Sequence, residues 1–147
     1  MKHPLFIRPL LLLACCVLLL TACIKPTPNL TAPAENANPL RGTKWQLVSL
    51  EQQEALAAAA VTVEFSDDAL TGSAGCNTYS AAYQLRDQTI MIGGAAATRK
   101  ACADEQQMAQ ETTYFEALAT VTQFQPVDEQ LELRNEQGEV VMVFAHR

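Results

Sequence analysis

The residues able to do chemistry are few: the chain holds five cysteines and two histidines among 147 residues. Cys76 lies in Gly72-Ser73-Ala74-Gly75-Cys76-Asn77-Thr78-Tyr79, and Cys102 closes Thr98-Arg99-Lys100-Ala101-Cys102. A thiolate nucleophile at either position needs a base beside it. Past the N-terminal residues the only histidine is His146, next to the C-terminus, which also removes a Ser-His-Asp arrangement. No catalytic residue is therefore assigned. The two cysteines lack the short spacing that preorganises a zinc site, and Asp67-Asp68 and Asp87 lack the glycine and glutamate offsets of a calcium loop. No metal or other cofactor is expected. Gly72-x-x-Gly75 lacks the Lys-Ser/Thr of a phosphate loop, and glycines in such a stretch permit close approach by another backbone. Asn77 either locks the chain after Cys76, since a buried amide must be hydrogen-bonded, or contacts a ligand together with Tyr79. Arg99-Lys100 offer two cations to an anionic partner, or form part of a solvated loop.

An address precedes these residues. Lys2 and Arg8 stand in a segment free of acidic residues, followed by the apolar run Leu10–Leu20. That is the layout of a secretory signal peptide, and the run is too short for a transmembrane helix, which needs about 20 residues. Leu20-Thr21-Ala22-Cys23 resembles the lipobox of bacterial lipoproteins. The resemblance implies cleavage after residue 22 and acylation of Cys23, so that the lipid bilayer is the first partner, each buried methylene adding about 0.8 kcal/mol. Ile24 stands where an Asp would suggest retention in the inner membrane. The likeness to Gram-negative lipoproteins thus implies the outer membrane, with the protein facing the periplasm. Cys15 and Cys16 leave with the signal peptide. In an oxidising compartment two remaining cysteines usually form a disulfide; unpaired buried thiols and a reactive thiol are the alternatives for Cys76 and Cys102.

From Cys23 to Pro39 the chain is rich in proline and has no aromatic residue. Such a segment has too little to bury to offset its ordering entropy and reads as an extended spacer. Residues 40–147 suit one domain. Without Lys2 and Arg8 the net charge falls from −6 to −8, and an acidic surface argues against nucleic acid and other polyanions as partners.

The elements that must position Cys76, Asn77 and Arg99 follow from periodicity. Lys44–Leu50 reads as a first strand with a partial period of two, and Glu51–Ala60 as a connector with room for a helical turn. Val61, Val63 and Phe65 share one face of the next strand. The Gly72–Tyr79 stretch reads as a tight inner strand, with Leu70–Ala74 pairing back on its predecessor. Ala81–Arg86 pairs with Thr89–Ile92, setting Tyr83, Leu85, Ile90 and Ile92 inward. Gly93–Cys102 is a loop. Asp104 followed by Gln107 resembles a capping box, opening a helix whose Met108, Thr112, Phe115 and Leu118 or Ala119 recur at core spacing. Strands follow at Thr122–Gln125 and Gln130–Arg134, separated by Pro126–Glu129. Val140–Ala145 is apolar on both faces and belongs inside a sheet or a closed barrel. The class is α+β: a small antiparallel, barrel-like curled sheet with one principal amphipathic helix.

Gly42–Leu50, Gly72–Tyr79, Thr98–Cys102 and Gln110-Glu111 with Phe115 and Leu118 resemble, in order, the META domain of the HslJ family. The resemblance implies a barrel-like α+β domain of secreted or surface-anchored bacterial proteins, associated with heat-shock induction and novobiocin tolerance, and supplies no catalytic residues. The expectation is a non-enzymatic lipoprotein acting as a binding or envelope-stress module toward a periplasmic protein or small ligand. The alternative is an inhibitor of a periplasmic or host hydrolase such as lysozyme or a protease, because a small acidic domain could block a basic enzyme.

Overall fold

Side-chain alternation marks the strands from which the sheet is built. In the computed structural model, which describes residues 38–147, Lys44–Leu50 (β1) buries Trp45, Leu47 and Leu50. The period of two slips between Leu47 and Leu50 because a bulge shifts the register against the last strand between Leu47 and Ser49. A bulge adds one residue and flips the alternation, so Val48 faces outward. The remaining elements are β2 (Gln53–Glu54), β3 (Thr62–Phe65), β4 (Ala69–Ser73), β5 (Thr78–Arg86), β6 (Thr89–Ile92), β7 (Ala96–Ala97), α1 (Glu105–Thr120), β8 (Val121–Val127), β9 (Gln130–Asn135) and β10 (Val140–His146). The signal peptide 1–22, Cys23 and the tether as far as residue 37 lie outside the described residues.

Eight strands close on themselves in the order β1-β3-β4-β5-β6-β8-β9-β10, each antiparallel to its neighbours, with β2 added to β1 and β7 to β5. The expected curled sheet is thus a closed barrel, and β10, apolar on both faces, pairs with β9 on one side and β1 on the other. Its interior is filled: Phe65, Leu70, Ile90, Leu131, Leu133 and Phe144 are all buried. A barrel of this strand number has room for side chains and little else. The thinnest seam is β6–β8, where Thr89 opposite Gln123 is the one residue pair, supplemented by Phe124 N–H donating to the Gln88 carbonyl at 3.1 Å.

The antiparallel order sends β1, β4, β6 and β9 toward one end and starts β3, β5, β8 and β10 there. α1 covers that end. Gln110, although polar, is buried: its Oε1 accepts from Leu56 N–H at 2.6 Å and its Nε2 donates to the Ala59 carbonyl at 3.0 Å. At the opposite end Asn38 donates to the Tyr83 hydroxyl at 2.6 Å and accepts from Leu40 N–H at 2.9 Å. Composition alone assigns Asn38 to the tether, yet its side chain is fixed on the barrel.

Several expectations about elements need correction. The Gly72–Tyr79 stretch is not one inner strand: β4 ends at Ser73, the chain turns through Gly75 at φ +104°, and β5 starts at Thr78. The turn wins because Asn77 is claimed by other segments. Glu51–Ala60 opens not with a helical turn but with a hairpin, Glu51 and Gln52 both left-handed and Leu50 opposite Gln53. Two-residue hairpins use that conformation. Pro126 lies within β8, opposite Leu131. The closing pair of the Asp128-Glu129 hairpin takes the ladder bonds, so the next pair points its N–H groups away and proline costs nothing there. The helix is also rotated from its expected phase. Gln110, Tyr114, Ala117 and Leu118 are buried, whereas Met108 is 48% exposed and Thr112 and Ala119 face solvent. Two of the four buried side chains carry polar heads, so an apolar stripe misreads the face. Asp104 does cap the helix, accepting from Gln106 N–H at 2.8 Å and Gln107 N–H at 3.4 Å.

Candidate functional site

Three segments meet at the covered end of the barrel: the β4–β5 turn, the loop 98–102 and α1. Asn77, only 4% exposed, joins them. Its Oδ1 accepts from Thr98 Oγ1 at 2.7 Å and from Lys100 N–H at 2.8 Å. Its Nδ2 donates to Glu111 Oε1 at 2.6 Å and to the Lys100 carbonyl at 3.3 Å, and its backbone N–H donates to Glu111 Oε2 at 2.8 Å. The side-chain amide therefore has two donors and two acceptor sites all in use, the complete set an amide possesses. Of the two roles open to Asn77, the structural one absorbs it entirely.

A disulfide links Cys76 to Cys102 beside this amide, across a sequence separation of 26 and a Cα–Cα distance of 5.9 Å. It ties the same turn to the same loop, one residue beyond Asn77 on one side and two beyond Lys100 on the other. Of the alternatives open at Cys76 and Cys102, the disulfide is the one formed. His146 packs edge-on against Trp45 at 5.0 Å, at the opposite end of the barrel, and so stands far from both sulfurs.

Tyr79 also turns inward. Its hydroxyl donates to the Thr62 carbonyl at 3.0 Å and so receives the proton of the Tyr114 hydroxyl. Gly72 makes the approach possible, since a Cβ there would sit 1.9 Å from the Thr62 oxygen and 3.1 Å from the Tyr79 ring. Tyr79, Tyr114 and Phe115 pack edge to face with centroids 5.4–5.6 Å apart. Burial raises the Tyr79 hydroxyl above the ordinary tyrosine range, opposed in part by the hydrogen bond from Tyr114. Tyr114 is raised well above that range by burial, with Tyr79 adding to the effect. Both phenols are buried and hydrogen-bonded to each other.

Arg99 and Lys100 are exposed, and among the described residues neither side chain forms an ion pair. Lys100 serves Asn77 through its backbone alone. Two clefts flank α1. One, of about 370 Å³, opens between the helix and the β1–β2 hairpin, with Glu51, Glu54 and Gln106 on its walls. The other, of about 440 Å³, is apolar and lies between Gly93–Ala97, whose last two residues form β7 and not the expected loop, and Phe115, Leu118 and Ala119. Among the described residues no helix is long and apolar enough to cross a membrane.

The structure brings Cys76, Asn77, Tyr79, Lys100 and Cys102 to one place. Glu111 and Tyr114 complete it; the Gln110-Glu111 motif of the family resemblance marks Glu111 without giving it a role, and residue type does not single out Tyr114. The available signal was helix phase: once Gln110 is placed inward, Tyr114 follows one turn later and Glu111 falls beside Asn77.

Comparison with curated proteins gives no match. Among solved structures, the NMR structure of a protein from Burkholderia xenovorans is 26% identical over 74% of this chain and 83% of that one, with a TM-score of 0.59. A second protein solved by NMR is 22% identical, covering 72% of this chain and 90% of its own, at a TM-score of 0.58. The crystal structure of a DUF4847 family protein from Bacteroides vulgatus is 17% identical over 74% and 95%, with a TM-score of 0.54. At these last identities the likeness is one of fold. The META domain matches residues 38–147, from the Asn38 anchor through β10, and the chain therefore belongs to the META domain family.

Proposed function

We propose that the protein is a non-enzymatic binding module of the bacterial envelope, anchored by lipid on Cys23 to the outer membrane and working in the periplasm as an HslJ-like stress protein. One observation carries the non-enzymatic reading: the groups that might react are bonded to one another. The two sulfurs form a disulfide, the Asn77 amide is saturated, and the buried phenols of Tyr79 and Tyr114 are held in their neutral form. What the domain offers outward is shape, two clefts walled by α1, and the unpaired charges of Arg99 and Lys100. Loops on a rigid scaffold are where binding residues concentrate.

A photo-crosslinking side chain placed at Arg99, in cells that also carry a Cys23→Ala version, tests both halves. The expected result is palmitate incorporation and membrane fractionation that depend on Cys23, with a discrete adduct formed from position 99 but not from an equivalent probe at Gln84. Palmitate incorporation into Cys23→Ala, or equal labelling from both probe positions, would retire the reading.

A further inference from the structure

We propose that Cys76, Cys102 and Glu111 form a metal site that the disulfide masks, and that the reduced protein binds a thiophilic divalent cation such as zinc there. The two sulfurs and a Glu111 carboxylate oxygen lie within 4.8 Å of one another. In the oxidised chain the sulfurs are bonded together and neither is a thiolate ligand. A dithiol reductant would pass two electrons to the Cys76–Cys102 bond, becoming a disulfide itself and leaving two thiols. The incoming cation then displaces the two thiol protons, so that two thiolates and one carboxylate face it, with a fourth position open to water. Two sulfurs and an oxygen suit zinc, which takes Cys and Glu ligands in tetrahedral sites.

The site depends on the sulfurs staying adjacent once their bond is cut. Asn77 provides for that. Its bonds to Thr98, Lys100 and Glu111 hold the turn that carries Cys76, the loop that leads to Cys102 and the helix that carries Glu111, and none of them passes through sulfur. Glu111 accepts from Asn77 with both oxygens. A carboxylate has about four lone-pair sites, so each oxygen keeps one for a cation while the hydrogen bonds orient the group. Carboxylates that ligate a metal are themselves commonly held by hydrogen bonds, and Asn77 supplies them to Glu111. The wide sequence separation that argued against a metal is overcome by the fold.

Cobalt(II) is the probe. Full-length protein purified in detergent is reduced with a phosphine, which does not compete for the metal as a thiol would, and titrated with Co(II) beside an oxidised sample. A sulfur-to-cobalt charge-transfer band saturating at one equivalent in the reduced sample only, and lost on adding Zn(II), is the expected result. Cys76→Ser and Cys102→Ser should each abolish it. Glu111→Gln should weaken Co(II) binding by about 10-fold or more with both thiols still titrating, and Glu111→Asp, which keeps the carboxylate one methylene shorter, should fall between. Near-UV circular dichroism follows the fold throughout. Three results overturn the proposal: a reduced protein that stays folded but gives no band at micromolar Co(II), a reduced protein that loses its fold, or Glu111→Asp binding as tightly as the parent while Glu111→Gln does the same.

Discussion

Asn77 shows how one buried amide can organise a site. Asn77→Ala would strand Thr98 Oγ1, the Lys100 N–H and the Glu111 carboxylate at once. An orphaned buried group costs about 1–3 kcal/mol, and water reaches part of this set. The expected loss is therefore about 2–4 kcal/mol, read from urea unfolding, with at least as large a loss for Asn77→Asp, which removes the amide donors and sets a second carboxylate against Glu111. The tyrosines make a separate prediction about pH. Tyr79 and Tyr114 have folded pKa values above the unfolded one, and burial raises Tyr83 as well, beside Asp67 and Asp68. The neutral phenol is thus the form the fold favours. The stability it contributes is complete below the unfolded pKa of about 10 and is lost as pH rises above it. Thermal melts should hold level on this account from neutral pH to about 10 and then fall steeply. Replacing Tyr79 with phenylalanine should flatten that fall. An unchanged slope would show that the hydroxyl pair is not its source.

At the scale of elements, the helix is the discriminating case. An apolar stripe through Met108 and an amide-and-phenol stripe through Gln110 and Tyr114 differ by a rotation of the helix, and only the second satisfies Leu56 N–H, the Ala59 carbonyl and the Tyr79 hydroxyl. Leu118 belongs to both readings; Met108 separates them. Met108→Lys should change stability by no more than about 0.5 kcal/mol, the range of surface substitutions. Leu118→Ala should cost about 2–5 kcal/mol, the range for emptying a core position. Chemical denaturation of the two variants checks this, and a Met108→Lys loss as large as that of Leu118→Ala would restore the apolar phase. The strands were more legible because alternation marks them wherever one face is buried. Trp45 and Leu47, Val63 and Phe65, Tyr83 and Ile90 all obey it. The exceptions have local causes. A bulge resets β1, and a hairpin register lets Pro126 sit inside β8.

For the molecule as a whole, the disulfide and the Asn77 clasp are two restraints on the same three segments. Cutting the disulfide should lower stability by about 3–4 kcal/mol on the chain-entropy account of a loop this long. The reduced protein should still unfold in one cooperative transition, because the barrel closes through β1–β10 without help from sulfur. Differential scanning calorimetry with and without phosphine reads both quantities, and a broad, non-cooperative transition after reduction would mean that the cysteines hold the covered end alone. Composition and order of residues were sufficient for the acidic charge, the α+β class, the position of most strands and the inward path of β10, because burial on a pleated strand leaves a period of two in the sequence. They were also sufficient to bring Cys76, Asn77 and Cys102 under suspicion. They could not decide the barrel's closure, the helix phase or the company that Asn77 keeps. Closure is a pairing between the first and last strands, and the helix phase depends on which backbone groups at the barrel end need partners. Glu111 reaches Asn77 only after both are settled. A residue's type limits the bonds it can make, but contacts between segments tens of residues apart are chosen by the packing of the whole chain.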